Sequence, residues 1–263
     1  MHGMVNIGVR AARRAGEIMV RQINRLESLE VVEKGRNEFV SAVDHAAEDA
    51  IIEVIRDHYP DHAILGEESG ASGDHEYQWI IDPLDGTTNY LHGFPVFSVS
   101  IAVARSGTLE HGVVYDPLRQ EIFTASRGEG AQLDGRRIRV SKHISLRRAL
   151  LATGFPYRIT GERTDAYLEM LRAVLAETSG VRRLGSAALD LCYVAAGRVD
   201  GFWELGLNKW DLAAGALIIR EAGGRISDFK GTDGFMESGD IVAGTPKVYA
   251  ALSKLLAPHA QRL

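Results

Sequence analysis

Trp79-Ile80-Ile81-Asp82-Pro83-Leu84-Asp85-Gly86-Thr87-Thr88-Asn89 is the most informative segment of the chain. Its apolar start reads as a short buried strand over Gln78–Ile81. Pro83 removes a ladder donor, so the strand is expected to end at Asp82-Pro83. Asp82 and Asp85 then stand at a strand's carboxyl end, where clefts open in α/β proteins. Carboxylates this close repel one another unless a cation holds them. An all-oxygen donor set suits a hard ion such as Mg²⁺, bound together with a substrate phosphate. Backbone amides from Gly86 onward, with the hydroxyls of Thr87 and Thr88, can cradle a phosphate oxygen. The same residues read equally as a turn, since Asp-Gly is a common turn dipeptide and Asp85 can cap a helix.

Three further acids lie in comparable settings. Gly66-Glu67-Glu68-Ser69-Gly70 follows the apolar Ala63-Ile64-Leu65, again acids at a strand end, with Glu68 read as part of a solvated loop. Asp44 precedes Ala47, Ala50, Ile51, Val54 and Ile55, a helical spacing closed by Pro60. Ser41 and Asp44 together are close to a capping box. Asp211 opens an apolar helix over Leu212–Ala222, where an N-cap is the default reading. A helix N-terminus also favours an anion, so one acid can both cap and bind.

Around these acids the elements alternate. Residues 1–26 carry five Arg against the single acid Glu17. Met4, Gly8, Ala11, Ala15, Ile18 and Met19 make them an amphipathic first helix rather than a leader. Glu33–Glu38 reads as a polar loop. Val96–Ala104, Leu109–Tyr115 and Glu121–Ser126 read as strands, the last two antiparallel. Strands are expected at Ala149–Thr153, Val181–Arg183, Val199–Glu204, Arg225–Phe229 and Asp240–Gly244. Helices are expected at Arg163–Glu177, Ser186–Ala196, Leu212–Ala222 and Lys247–Leu256. The expected class is α/β: an α+β half over residues 1–145 carrying the acid motif, and an α/β half over residues 146–263 completing the site. No Pro/Gly/Ser-rich linker separates them, so they are expected to pack as one body.

Composition sets the outer bounds. The 263 residues are 45% hydrophobic, and 35 acids against 30 bases leave a net charge of -5, which excludes disorder and argues against broad nucleic-acid coating. No apolar run approaches the ~18–20 residues of a membrane span. The single Cys192 lies in an apolar stretch and reads as a buried small side chain, which fits a cytoplasmic setting.

Gly66–Ser69, Trp79–Asn89 and Trp210-Asp211 before Ala213–Gly224 resemble the signatures of the inositol monophosphatases, its bacterial SuhB-type branch in particular. Tyr115–Pro117, Ala152–Pro156, Gly185–Gly201 and Arg220–Phe229 extend the resemblance over essentially the whole chain. The resemblance implies a layered αβαβα sandwich of the inositol monophosphatase and fructose bisphosphatase type, a homodimer, and a Li⁺-sensitive site with two or three Mg²⁺. On the family's pattern Glu67, Asp82 and the Leu84 carbonyl hold one ion, Asp82, Asp85 and Asp211 a second, and a weaker third lies near Glu67. By the same resemblance Asp44, Glu67 and Thr87 would serve catalysis, with Asp44 and Thr87 positioning the attacking water, Gly86 and Thr87 would bind phosphate, and Asp85, Gly185, Ser186, Ala187, Glu204 and Asp211 would line the substrate. It also implies a mobile loop carrying Lys34.

The implied activity is hydrolysis of myo-inositol 1-phosphate and related polyol monophosphates. Fructose 1,6-bisphosphatase, histidinol-phosphatase and nucleotidase specificities are the neighbouring alternatives. A two-ion clamp on attacking and leaving oxygens suits so slow a reaction. Thr87 paired with Asp44 can accept from water while donating to the carboxylate. The SuhB-type resemblance also implies binding to the antitermination factor NusA and RNA polymerase. Arg136-Arg137-Ile138-Arg139 and Arg147-Arg148 are the surfaces considered for it, and each reads equally as a solvated face.

Overall fold

The computed structural model describes residues 2–23, 31–35, 38–156, 160–261 and 263, with only the backbone described for residues 31–35 and 38–41. In chain order, α1 (Gly3–Gln22) precedes a hairpin of β1 (Val31–Gly35) and β2 (Glu38–Ser41), which leads into α2 (Ala42–Arg56). Strands β3 (Ala63–Gly66), β4 (Gly70–Ser72) and β5 (Tyr77–Asp85) run to the short α3 (Thr87–Leu91). A meander follows: β6 (Ser98–Arg105), β7 (Thr108–Asp116), β8 (Glu121–Ser126), β9 (Gly130–Leu133) and β10 (Arg136–Arg137). Then come β11 (Leu150–Thr153), α4 (Glu162–Glu177), β12 (Gly180–Arg182), α5 (Ala187–Ala195) and β13 (Gly201–Glu204). The chain closes with α6 (Lys209–Glu221), β14 (Arg225–Ser227), α7 (Phe235–Ser238), β15 (Ile241–Gly244) and α8 (Pro246–Ala260).

The larger sheet has the order β10-β9-β8-β7-β6-β5-β3-β4, antiparallel except between β3 and β5. The smaller has the order β12-β11-β13-β15-β14, with β11 parallel to both its neighbours. Period-two alternation sorts the strand side chains onto opposite faces. Trp79, Ile81, Val99, Ile101 and Val103 of the larger sheet pack with Met4, Ala11, Ala15 and Ile51 of α1 and α2. Ile80, Ala102 and Ala104 point the other way, into a core shared with α5 and α6. That core continues to Ala152, Phe202, Ile241 and Ala243 on the smaller sheet. The smaller sheet's far face, with Leu151, Trp203 and Val242, is covered by Tyr167, Met170 and Val174 of α4 and Val248, Leu252 and Leu256 of α8. The layers are therefore helix, sheet, helix, sheet, helix. The mixed α/β class and the five-layer sandwich expected from the sequence are what the structure has. Among the described residues no helix is long and apolar enough to cross a membrane.

Four local readings need correction. The strand expected to stop at Asp82 continues through Pro83 to Asp85. It does so because its pairing with β6 shifts there: Asp82 faces Ser100 and Asp85 faces Ser98, so one extra residue is bulged out and the proline owes no ladder bond. The polar stretch expected as a loop at Glu33–Glu38 contributes its ends to the β1–β2 hairpin. Asp211 does not cap its helix as N-cap. That place belongs to Asn208, and Asp211 sits one turn inside. Strand β4 and helix α7, both short and without apolar periodicity, were not anticipated.

Candidate active site

A cavity of about 400 Å³ opens where β5 and α3 meet the N-terminal ends of α5 and α6. Its walls include Glu67, Asp82, Leu84, Asp85, Gly86, Thr87, Gly185, Ser186, Ala187, Glu204 and Asp211. Asp44 lies just behind this wall, buried in the first turn of α2. Lys34 lies on β1, and its side chain is outside the described residues.

The β5 bulge decides the placement of the first two acids. In a regular strand, residues three apart face opposite sides. The extra residue puts Asp82 and Asp85 in register with Ser100 and Ser98, which are two apart on one side of β6. Glu67 follows β3, the parallel neighbour of β5, and its amide donates to the Ile81 carbonyl at 3.1 Å. Asp211 comes from α6, where its Oδ2 accepts the Asn208 amide at 2.7 Å. Asp85 reaches across the chain to the start of α5. It accepts from the Ser186 hydroxyl at 2.5 Å and from the Ala187 and Ala188 amides at 3.2 and 2.9 Å. The positive end of a helix is a natural seat for an anion.

These hydrogen bonds do not cancel the cost of gathering like charges away from water. Burial, followed by repulsion from Asp211, raises Asp85 to a pKa of about 7, against the lowering effect of its bonds to Ser186 and α5. Asp82 is raised well above the usual carboxylate range by burial and then by Glu67, Asp85 and Asp211. Four oxygen-only side chains that repel one another have the donor chemistry for a hard divalent cation. Among the described residues no three acidic, histidine or cysteine side chains already close on one point as a metal shell. Asp85 and Asp211 are instead turned toward Ser186 and Asn208.

The Thr87 hydroxyl lies 3.2 Å from Asp44 Oδ1 and 3.0 Å from the Leu84 carbonyl, within donating distance of both. Gly86 has a φ of 96°, and a Cβ there would stand 3.1 Å from the Gly185 and Val96 carbonyls. Only glycine therefore lets β5 turn into α3 against the Gly185 segment. Asn89 fastens the same junction, its Nδ2 donating to the Val96 and Leu184 carbonyls, each at 2.8 Å.

Asn89, Phe155 and Arg183 are among the lining residues given no role from sequence. Asn89 closes the long motif, and its place there was the available signal. Phe155 falls within the Ala152–Pro156 stretch without a charge to mark it. Arg183, whose guanidinium sits 5.4 Å over the Phe155 ring, has no local sequence signal at all. Cys192 is buried, as its apolar surroundings suggested.

The description "Inositol monophosphatase family" belongs to a family model that matches residues 1–262. The chain is 55% identical to a Pseudomonas aeruginosa protein named Nus factor SuhB, over 98% of this chain and 97% of that one. An Escherichia coli protein of the same name is 52% identical over 96% and 95% of the two chains. Among solved structures, the Bartonella henselae extragenic suppressor protein suhB superposes with a TM-score of 0.94 at 44% identity, covering 97% and 98%. A Thermotoga maritima IMPase superposes at 0.89 with 33% identity, covering 99% of each chain.

Proposed function

The chain belongs to the inositol monophosphatase family, and from that premise we propose that it is a Mg²⁺-dependent phosphomonoesterase acting on myo-inositol 1-phosphate and related polyol monophosphates. The observation that carries this reading is the gathering of Glu67, Asp82, Asp85 and Asp211 around one cavity beside the Thr87–Asp44 pair. Those four carboxylates and the Leu84 carbonyl would hold two or three Mg²⁺. When bound, the metal supplies the positive charge that lowers the pKa of a water and steadies the leaving oxygen. Asp44 orients the Thr87 hydroxyl, which would take a proton from the attacking water as it gives its own to the carboxylate. The Gly86 and Thr87 amides would hold phosphate oxygens. Gly185, Ser186, Ala187 and Glu204, with Asp85 and Asp211, form the wall that the alcohol portion would meet. A homodimer in the cytoplasm, Li⁺ sensitivity and a closing segment around Lys34 complete the proposal.

The test is phosphate release from inositol 1-phosphate, fructose 1,6-bisphosphate, histidinol phosphate and an adenosine bisphosphate, with Mg²⁺ and with or without Li⁺. Inositol 1-phosphate is expected to be the best substrate, and Asp82→Asn to abolish its hydrolysis. Full activity in that variant would overturn the reading.

The name Nus factor SuhB, carried by relatives at 52–55% identity, motivates a second role in binding NusA and RNA polymerase. Arg136 and Arg137 lie exposed on the edge strand β10 and offer one basic surface for it. A NusA pull-down at low salt is expected to succeed with both the parent protein and Asp82→Asn. An empty pull-down counts against the role.

A further inference from the structure

We propose that Glu48 is a positioning residue for the metal-binding loop: its buried carboxylate clamps the backbone beyond Glu67 and so sets where the Glu67 side chain enters the cavity. This inference rests on the phosphatase reading above and assigns a residue outside the four-acid set.

Glu48 is only 2% exposed, on α2. Both of its oxygens are used. Oε2 accepts the Glu68 amide at 2.9 Å and Oε1 accepts the Ser69 amide at 2.7 Å. The fit is close enough that a Cβ on Gly66 would lie 2.6 Å from Glu48 Oε2. Glu67 is thus gripped on two sides, since its own amide is tied to β5 through the Ile81 carbonyl at 3.1 Å. A buried acid is costly unless its lone pairs are met, and here two loop amides meet them.

The position of Glu48 on its helix adds to the case. Asp44 stands one turn earlier, on the same face, and holds Thr87 at 3.2 Å. A single helix thereby sets both the hydroxyl that would handle the water's proton and the loop that would present a metal ligand. Glu48 itself does not line the cavity. Partners of this kind typically change metal affinity about 10–100-fold when removed.

The test is Mn²⁺ binding to the substrate-free protein, read by electron paramagnetic resonance, alongside the Mg²⁺ dependence of phosphate release. In Glu48→Ala the Mn²⁺ dissociation constant is expected to rise about 10–100-fold. Phosphate release at saturating Mg²⁺ is expected to recover most of its rate. Glu48→Gln keeps one acceptor for the two amides and should fall between the alanine variant and the parent. A folded Glu48→Ala that binds Mn²⁺ as the parent does would overturn the inference. If the alanine variant does not fold, Glu48→Gln decides, and unchanged affinity there overturns it equally. A parent protein that binds no Mn²⁺ overturns the metal-dependent reading itself, which separates the two failures.

Discussion

Asp85 shows how one residue carries opposing demands. Ser186 and the start of α5 favour its charge, yet burial and Asp211 outweigh them and raise its pKa to about 7. The ionised form is therefore a cost to the folded state. That cost is full above pH of about 7 and is relieved as pH falls below it, because the native carboxyl takes up its proton before the unfolded one does. A cation bound among these acids would offset the cost only where they are ionised, and protons compete with it. Added MgCl₂ is thus expected to raise the melting temperature more at pH 8 than at pH 5. Equal shifts in melts at the two pH values would contradict this. Thr87 makes a sharper case, because its hydroxyl links Asp44 to the cavity. Thr87→Ala is expected to lower kcat for phosphate release by about 10²–10⁴-fold, the usual weight of a proton-handling group, with the melting temperature little changed.

Among the elements, β5 and α6 do most to assemble the site. Helix α6 brings Asp211 in and also packs across the sheet. At Gly112 of β7 a Cβ would lie 2.9 Å from the Ala214 carbonyl oxygen and 3.2 Å from its Cα, and neither backbone atom can swing aside. Gly112→Val is expected to cost about 1–3 kcal/mol by overpacking, seen as a lower urea midpoint. Because α6 would be pushed off the sheet, catalytic activity should fall with it. Wild-type stability in that variant would mean the helix has slack that the contact distances do not show. Much of this level was readable in the chain. Strands β7 and β8 and helices α4, α5, α6 and α8 all lie within a few residues of where apolar spacing put them. The bulge at Pro83 was not readable, because proline signals the loss of a donor and not whether the partner strand can absorb an extra residue.

For the whole molecule, the central helices α5 and α6 serve both sheets through one shared core. Neither half can keep its inner face dry without the other, so the layers are expected to unfold together. Trp79 sits in the outer core of the larger sheet and Trp203 in that of the smaller, both fully buried. Variants keeping Trp79 or Trp203 as the sole tryptophan, with Trp210 also replaced, should give coincident denaturant transitions by fluorescence. Separated midpoints would show that the two halves fold independently.

The amino-acid sequence by itself determined which side chains are acids at element ends, which stretches alternate as strand or helix, and that family signatures run the length of the chain. Periodicity and capping are local, so a linear reading reaches them. It could not say that Asp85 would seat on the α5 N-terminus more than a hundred positions later, or that Glu48 would hold the loop after Glu67. Nor could it bring Asp82 and Asp85 to one side of β5, because their three-residue spacing opposes it and only the bulge against β6 corrects it. Those outcomes depend on strand register and on which helix end meets which strand end. Only the packed structure sets them, since hydrogen bonds between distant segments exist only after the layers have closed.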